Sequence, residues 1–173
     1  MVKLLTVKHL KKGDWDTYKQ TLRKLESSAF PAFERTNKWV FREFINQYTP
    51  YTAIFYYGKV PVGYYLAARL EVSSDNHIFK RIDREYGKNN TLYLFNFGVH
   101  KDYQRLGIGQ KMFDDLLKVS KRRFDRISLH TRNKNMIRLC YRKGFRILDV
   151  EDVLYKIMKK RYKYMAKWLK NKK

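Results

Sequence analysis

The feature that most constrains the fold of this 173-residue chain is a junction between a strand and a helix. The segment Thr91–Val99 is rich in aromatic and aliphatic residues, which predicts a largely buried strand. A short polar loop follows. A helix is then predicted over about 107–120, because four apolar residues recur at helical spacing: Ile108, Met112, Leu116 and Val119. Such a junction is typical of a mixed α/β protein.

The loop of this junction has the chemistry of an anion-binding site. The first turn of a helix has unpaired backbone N–H groups and carries the positive end of the helix dipole. Gly107 and Gly109 have no Cβ atom, so phosphate oxygens can approach the backbone. A Gly-x-Gly alone is equally compatible with a tight turn, so the interpretation depends on the rest of the chain.

The full predicted order of elements is β-α-α-β-β-β-α-β-α-β-β. The predicted strands are 4–10, 52–57, 60–70, 91–99, 126–130, 145–150 and 152–159. The first predicted helix is capped by Asp14 or Asp16 and ends before Pro31. Three further helices are predicted over about 37–47, 107–120 and 133–143. The polar residues 71–90 are predicted to form a loop with one helical turn around 78–82.

Length and composition predict one domain over residues 1–160. Hydrophobic residues make up 44% of the chain, enough for a core. The single cysteine, Cys140, cannot form an internal disulfide, which favours a cytoplasmic location. We expect no signal peptide and no membrane span, because no stretch approaches roughly 18 continuous apolar residues.

The charge is strongly positive. The chain has 39 Lys plus Arg and 16 Asp plus Glu, a formal net charge of +23. Such a field attracts polyanions, so RNA or ribosomal association through a basic surface is one expectation, and a generally Lys-rich composition is the alternative. Residues 161–173 are predicted to be a basic C-terminal tail, with one helical face formed by Tyr162, Met165, Ala166 and Leu169.

Two motifs resemble those of the GNAT N-acetyltransferase superfamily. The junction resembles its Gln/Arg-x-x-Gly-x-Gly/Ala signature, here Gln104-x-x-Gly107-x-Gly109. The segment 133–145 resembles its Asn-x-x-Met-x-x-Leu helix followed by Gly-Phe. The resemblance covers about residues 52–160, and residues 4–50 by element order only. It implies a GNAT fold, in which helices flank a central, mixed, mostly antiparallel sheet.

The resemblance also implies acetyl-CoA (coenzyme A) as the cofactor. The backbone amides of the loop are expected to hold the pyrophosphate, and the end of the central strand to pair with the pantetheine arm. A side-chain amide on the facing helix is expected to hydrogen-bond that arm. The implied residues are Phe97, Gly98, Val99, Gln104, Arg105, Leu106, Gly107, Ile108, Gly109, Gln110 and Asn133.

The catalytic residues of the family are only partly matched. Where many members have a glutamate on the central strand, this chain has Tyr93, and 91–99 contains no acidic residue. Where the family has a tyrosine acid, this chain has Cys140, with Tyr141 one step further. His130 is a further candidate, since imidazole titrates near neutral pH. Core packing is the alternative for Tyr93, His130 and Cys140, and no metal site is proposed.

These observations predict an acetyl-CoA-dependent N-acetyltransferase acting on a primary amine of an acceptor that the sequence does not identify. The charge slightly favours an acceptor associated with RNA or ribosomes. The alternative is a protein that uses a GNAT scaffold to bind acyl-CoA or nucleic acid without turnover. The resemblance allows a homodimer, but no segment identifies an interface.

Overall fold

The computed structural model describes residues 4–47, 51–70, 90–155 and 158–169. Seven strands lie in this part of the chain: β1 Leu5–His9, β2 Thr52–Tyr57, β3 Val60–Arg69, β4 Thr91–Val99, β5 Arg126–Thr131, β6 Arg146–Tyr155 and β7 Met158–Trp168. Four α-helices lie there too: α1 Trp15–Ala29, α2 Lys38–Gln47, α3 Ile108–Ser120 and α4 Lys134–Arg142. The predicted order of elements is confirmed. Two 3₁₀ segments, Ala32–Glu34 and Lys101–Tyr103, join them.

The sheet is mixed and mostly antiparallel, as predicted. Its hydrogen-bonded order is β1-β2-β3-β4-β5-β7-β6. β1 and β2, β2 and β3, β5 and β7, and β6 and β7 pair antiparallel, whereas β4 and β5 are parallel. The parallel pair places Tyr93 opposite Ser128. No helix in the described ranges has the length and apolar character that crossing a membrane requires.

The chain forms two compact units, of which the first comprises residues 1–68 and 96–119. It contains β1 to β3, the end of β4, and helices α1 to α3. Its core is built where the apolar faces of α1 and α2 meet the strands, and complete burial of such side chains stabilises by about 1.5–3 kcal/mol each. The core residues are Leu10, Leu22, Leu25, Phe41, Phe44, Ile45, Ile54, Tyr64, Leu66 and Ala68.

The second unit comprises residues 69–95 and 120–173. It contains the start of β4, strands β5 to β7, and helix α4. A cluster of Leu70, Tyr93 and Tyr164 is buried within it, with Leu148 packed against the cluster. The buried Arg126 is hydrogen-bonded to Thr91 at 3.0 Å, and its guanidinium lies 5.8 Å from the Trp168 ring. All four catalytic candidates, Tyr93, His130, Cys140 and Tyr141, belong to this unit.

The helical prediction for the basic C-terminal tail is wrong. Residues 161–168 form the second part of β7, which pairs with β5 on one side and β6 on the other. Tyr164, Met165 and Ala166 are consecutive and all buried, which a strand covered on both faces allows. The predicted break near residue 151 is also wrong, because β6 continues to Tyr155. Residues 71–89 of the predicted 71–90 loop, and residues 170–173, lie outside the described residues.

Candidate active site

The loop of the strand–helix junction is tied to the end of β4. The Gln104 side-chain Nε2 donates to the Val99 carbonyl at 3.1 Å. The Lys101 backbone N–H donates to the Ser28 hydroxyl at 3.0 Å, which attaches the 3₁₀ segment to α1. Both contacts lie inside the first unit. The loop is therefore fixed before α3 begins at Ile108.

The backbone of this loop turns through two positive φ angles, 65° at Arg105 and 75° at Gly107. A Cβ atom added at Gly107 would meet no other atom within 4 Å, so the space beside this glycine is open. Within the described part of the chain, no acceptor takes a hydrogen bond from the backbone N–H of Leu106, Gly107, Ile108 or Gly109. These donors and this open space have the features of an anion site.

Gly98, near the end of β4, is closely packed. A Cβ atom there would lie 2.8 Å from Tyr64 Cε1, 3.0 Å from the Ala29 Cβ and 3.1 Å from Phe30 Cε2. The missing side chain thus lets α1 approach the strand that the sequence assigns to the pantetheine arm. The segment that follows α1 also approaches this strand, since Asn96 Nδ2 donates to the Thr36 hydroxyl at 2.8 Å.

We expect Gly98→Ala to destabilise the protein by about 1–3 kcal/mol, because the new methyl group overpacks a rigid ring and a helix. Gly109→Ala is the matched control. Its Cβ would make ordinary contacts, 3.7 Å from Val99 and 3.8 Å from Phe97, within a helix that favours alanine. Urea unfolding of the two variants measures both effects, and equal stability of the two would contradict the packing at Gly98.

Tyr93 and His130, which the sequence offers as two separate catalytic candidates, are in contact. The Tyr93 hydroxyl lies 3.0 Å from His130 Nδ1. The Tyr93 side chain is buried, and the His130 ring is half-buried and packs 4.9 Å from the Tyr164 ring. The contact follows from the register, because His130 lies two residues beyond Ser128 on β5 and therefore on the same face. A phenol and an imidazole in this geometry can pass a proton between them.

The other two candidates differ sharply in exposure. Cys140 is completely buried, and burial raises the pKa of its thiol to about 12. Tyr141, the next residue of α4, is 51% exposed. A thiol with so high a pKa, and out of contact with solvent, is poorly suited to deliver a proton at neutral pH. The structure therefore gives more support to Tyr93 and His130 than to Cys140.

Asn133 caps helix α4. Its side-chain oxygen accepts hydrogen bonds from the backbone N–H groups of Asn135 and Met136, at 2.9 and 3.2 Å. Such a cap stabilises a helix by about 1 kcal/mol. The capping oxygen is thus committed to the helix, and the side-chain NH₂ is the group suited to contact a ligand.

The sequence reasoning missed one buried carboxylate. Glu26 of α1 is 0% exposed and accepts hydrogen bonds from Arg23 Nη1, at 2.8 Å, and from the Thr36 backbone N–H. Burial raises the pKa of its carboxyl group, and the bond from Thr36 and the charge of Arg23 oppose part of that rise. Its spacing from Leu22 and Ala29, on the apolar face of α1, is the signal that could have revealed it.

Glu71, a weaker carboxylate candidate because it follows β3 in the sequence, lies outside the described residues, as do Glu85 and His77. Among the residues that are described, no three His, Cys, Asp or Glu side chains are grouped so that they could hold a metal ion.

A mixed sheet with this loop at a strand–helix junction defines the GNAT class of fold. Residues 19–145 match the family model described as Acetyltransferase (GNAT) family, so the chain belongs to that family. A curated relative, the probable N-acetyltransferase san of Drosophila melanogaster, is 34% identical over 80 residues, which are 44% of this chain and 43% of that protein. The chain therefore matches less than half the length of this relative.

Two solved structures share the fold over nearly the whole chain. Arabidopsis thaliana Naa50, in complex with the bisubstrate analogue CoA-Ac-MVNAL, superposes with a TM-score of 0.71 at 21% identity, covering 94% of this chain and 97% of that one. The ribosomal-protein-S18-alanine N-acetyltransferase of Escherichia coli gives a TM-score of 0.69 at 18% identity, covering 96% and 94%. The predicted GNAT fold is thus confirmed.

Proposed function

We propose that this protein is an acetyl-CoA-dependent N-acetyltransferase. The observation that carries the proposal is the junction at 104–109, where backbone N–H groups without an acceptor in the described chain adjoin the open space at Gly107, in a chain of the GNAT family. Backbone amides from Gln104 to Gly109 bind the pyrophosphate, aided by the dipole of α3. The end of β4 at Phe97–Val99 pairs with the pantetheine arm, and the Asn133 NH₂ of the second unit remains a candidate donor to the cofactor. Acetyl-CoA supplies the thioester whose acetyl group is transferred.

The Tyr93–His130 pair handles the protons of the reaction. The acceptor amine must lose a proton as its new bond to the acetyl carbon forms, and the thiolate that leaves must gain one. His130 accepts the first proton, directly or through a water molecule. Tyr93, whose hydroxyl lies 3.0 Å from His130 Nδ1, orients the imidazole. Its hydroxyl proton passes to the leaving thiolate, and the imidazolium that has taken up the amine proton replaces it through Nδ1. No carboxylate on β4 takes part, since 91–99 contains none.

The acceptor that suits this pair is the α-amino group at the N-terminus of a protein. Its pKa is about 7.7–8.0, against about 10.4 for lysine, so a useful fraction is neutral at pH 7.5 and a strong base is not needed. The relatives support this class of acceptor: the Naa50 complex holds a peptide-bearing analogue, and the Escherichia coli enzyme is named for an alanine of a ribosomal protein. The +23 charge attracts the protein to anionic ribosomes and repels basic protein tails, so it favours an acceptor near ribosomes.

Calorimetry with acetyl-CoA, followed by a thiol-release assay, tests the proposal. A peptide beginning Met-Val-Asn-Ala-Leu should release thiol, whereas the same peptide with a blocked N-terminus and an internal lysine should not. If the protein bound acetyl-CoA but released no thiol with any amine acceptor, the result would instead support a non-catalytic acyl-CoA-binding protein. Absence of acetyl-CoA binding would contradict the proposal and favour a nucleic-acid-binding protein on a GNAT scaffold.

A further inference from the structure

The outer face of helix α4 carries positive charge and no negative charge. Lys134, Arg138 and Arg142 recur every four residues, so they lie along one side of the helix at intervals of about 6 Å. All three side chains are exposed. The opposite face is buried through Leu139 and Cys140. The three charges therefore form a row on the surface of the second unit.

This row differs from the exposed face of an ordinary helix, which mixes both signs of charge. The other helices of the described chain contain carboxylates: α1 has Asp16 and Glu26, α2 has Glu43, and α3 has Asp114 and Asp115. Helix α4 has none. From residue 126 to residue 148 the sequence has seven Lys or Arg and no acidic residue.

The three cations also lack acidic partners within the part of the chain that the structure describes. Among the described side chains, no carboxylate forms an ion pair with Lys134, Arg138 or Arg142. Arg146, which follows the helix, is exposed as well and extends the row. Cations that have no acidic partner and share one exposed face are free to contact the phosphates of a nucleic acid strand.

An exposed aromatic ring lies beside the row. Tyr141 is three residues after Arg138 and one before Arg142, and it is 51% exposed. Aromatic rings interleaved with cations are the arrangement that binds single strands, because unpaired bases stack on the rings while the cations contact phosphates. A helix that inserts into an anionic membrane needs a stripe of apolar side chains facing outward, and the apolar residues of α4 face inward.

We infer that the outer face of α4 binds single-stranded nucleic acid, with the cations on phosphates and the Tyr141 ring against a base. This surface is separate from the acetyl-transfer proposal, and its test needs no acetyl-CoA. Nucleic acid bound on this face of α4 would hold the enzyme near an RNA-rich partner while its active site acetylates a protein N-terminus.

Fluorescence anisotropy with a labelled 20-nucleotide poly(U) RNA, at 50–200 mM NaCl, tests the inference. The triple variant Lys134→Gln/Arg138→Gln/Arg142→Gln should bind at least tenfold more weakly at 100 mM NaCl. The slope of log affinity against log salt should become shallower by about 2, since each phosphate contact contributes about 0.7. Tyr141→Ala should weaken binding about fivefold or more without changing the slope.

The turn after α3 supplies a control of equal charge. Lys121, Arg122 and Arg123 are also exposed, so the triple variant Lys121→Gln/Arg122→Gln/Arg123→Gln loses the same three charges elsewhere. It should bind RNA within about threefold of the wild type. Equal weakening by both triple variants would overturn the inference, because net charge alone would then explain binding. Thermal melts followed by circular dichroism check that both variants fold.

Two further measurements separate the other anions that a basic face could bind. Vesicles of phosphatidylcholine and phosphatidylserine should bind the α4 variant and the wild type alike. Loss of vesicle binding with unchanged RNA affinity would overturn the inference in favour of a membrane surface. Acetyl-CoA at 1 mM should not displace the RNA, and displacement would show that the face belongs to the cofactor site.

Discussion

Gly107→Trp is expected to weaken acetyl-CoA binding by at least about 100-fold, a loss of about 2.7 kcal/mol. The new indole would occupy the open space beside the loop, where a Cβ meets no atom within 4 Å. That is where we propose the pyrophosphate lies, against the N-terminus of α3. Calorimetric titration with acetyl-CoA measures the effect directly, and coenzyme A should show the same loss because it shares the pyrophosphate.

Gly13→Trp is a closely matched control. Gly13 has a φ of 92° and, like Gly107, an open space at its Cβ, and both glycines are exposed. Both substitutions therefore incur a similar backbone strain of about 1–2 kcal/mol, and neither creates a clash at the Cβ. The Gly13 variant should bind acetyl-CoA normally. If both variants bound acetyl-CoA equally well, the cofactor would have to lie elsewhere.

Tyr93→Phe and His130→Gln are expected to lower kcat by about 10²- to 10³-fold, in the range of general acid–base catalysis. Acetyl-CoA affinity should stay within about threefold of the wild type, because neither side chain belongs to the proposed cofactor loop. The double variant should be scarcely slower than the slower single variant, since the two groups act as one unit joined by the 3.0 Å contact. Steady-state thiol release with the N-terminal peptide measures kcat for the two single variants and the double variant.

Tyr65→Phe controls for the loss of a buried hydroxyl. Tyr65 is also buried, and its hydroxyl donates to Asp115 at 2.7 Å instead of contacting a histidine. This variant should lose stability and keep its kcat. If Tyr93→Phe and Tyr65→Phe changed stability and kcat in the same way, Tyr93 would be a packing residue. The proposed proton path would then have to start from another group.

The order of elements could be predicted because each element leaves a local pattern. The aromatic and β-branched runs of β2 to β4 and the apolar spacing of α1 to α3 depend only on neighbours in sequence. The cofactor loop was also predicted from local information, since a Gly-x-Gly at a strand–helix junction is contained in a dozen residues. Its binding role remains a prediction until the Gly107 variant is tested.

The errors arise where structure depends on distant residues. The tail at 161–168 has apolar residues that fit a helical spacing, but its pairing with β5 and β6 makes it a strand. Tyr93 and His130 are 37 residues apart, and only the register of β4 and β5 brings them together. Glu26 is buried because Arg23 and Thr36 satisfy it, which its own position in α1 does not reveal.

The buried thiol of Cys140 makes the protein well suited to site-specific labelling. It is the single cysteine of the chain, it is shielded from solvent, and its raised pKa keeps it out of the reactive thiolate form. A cysteine introduced on the surface, for example Gly13→Cys, would therefore be the one site that maleimide dyes modify quickly. A fluorophore placed there would report the tumbling of the protein, and hence its association with a large ligand, without first replacing a native cysteine.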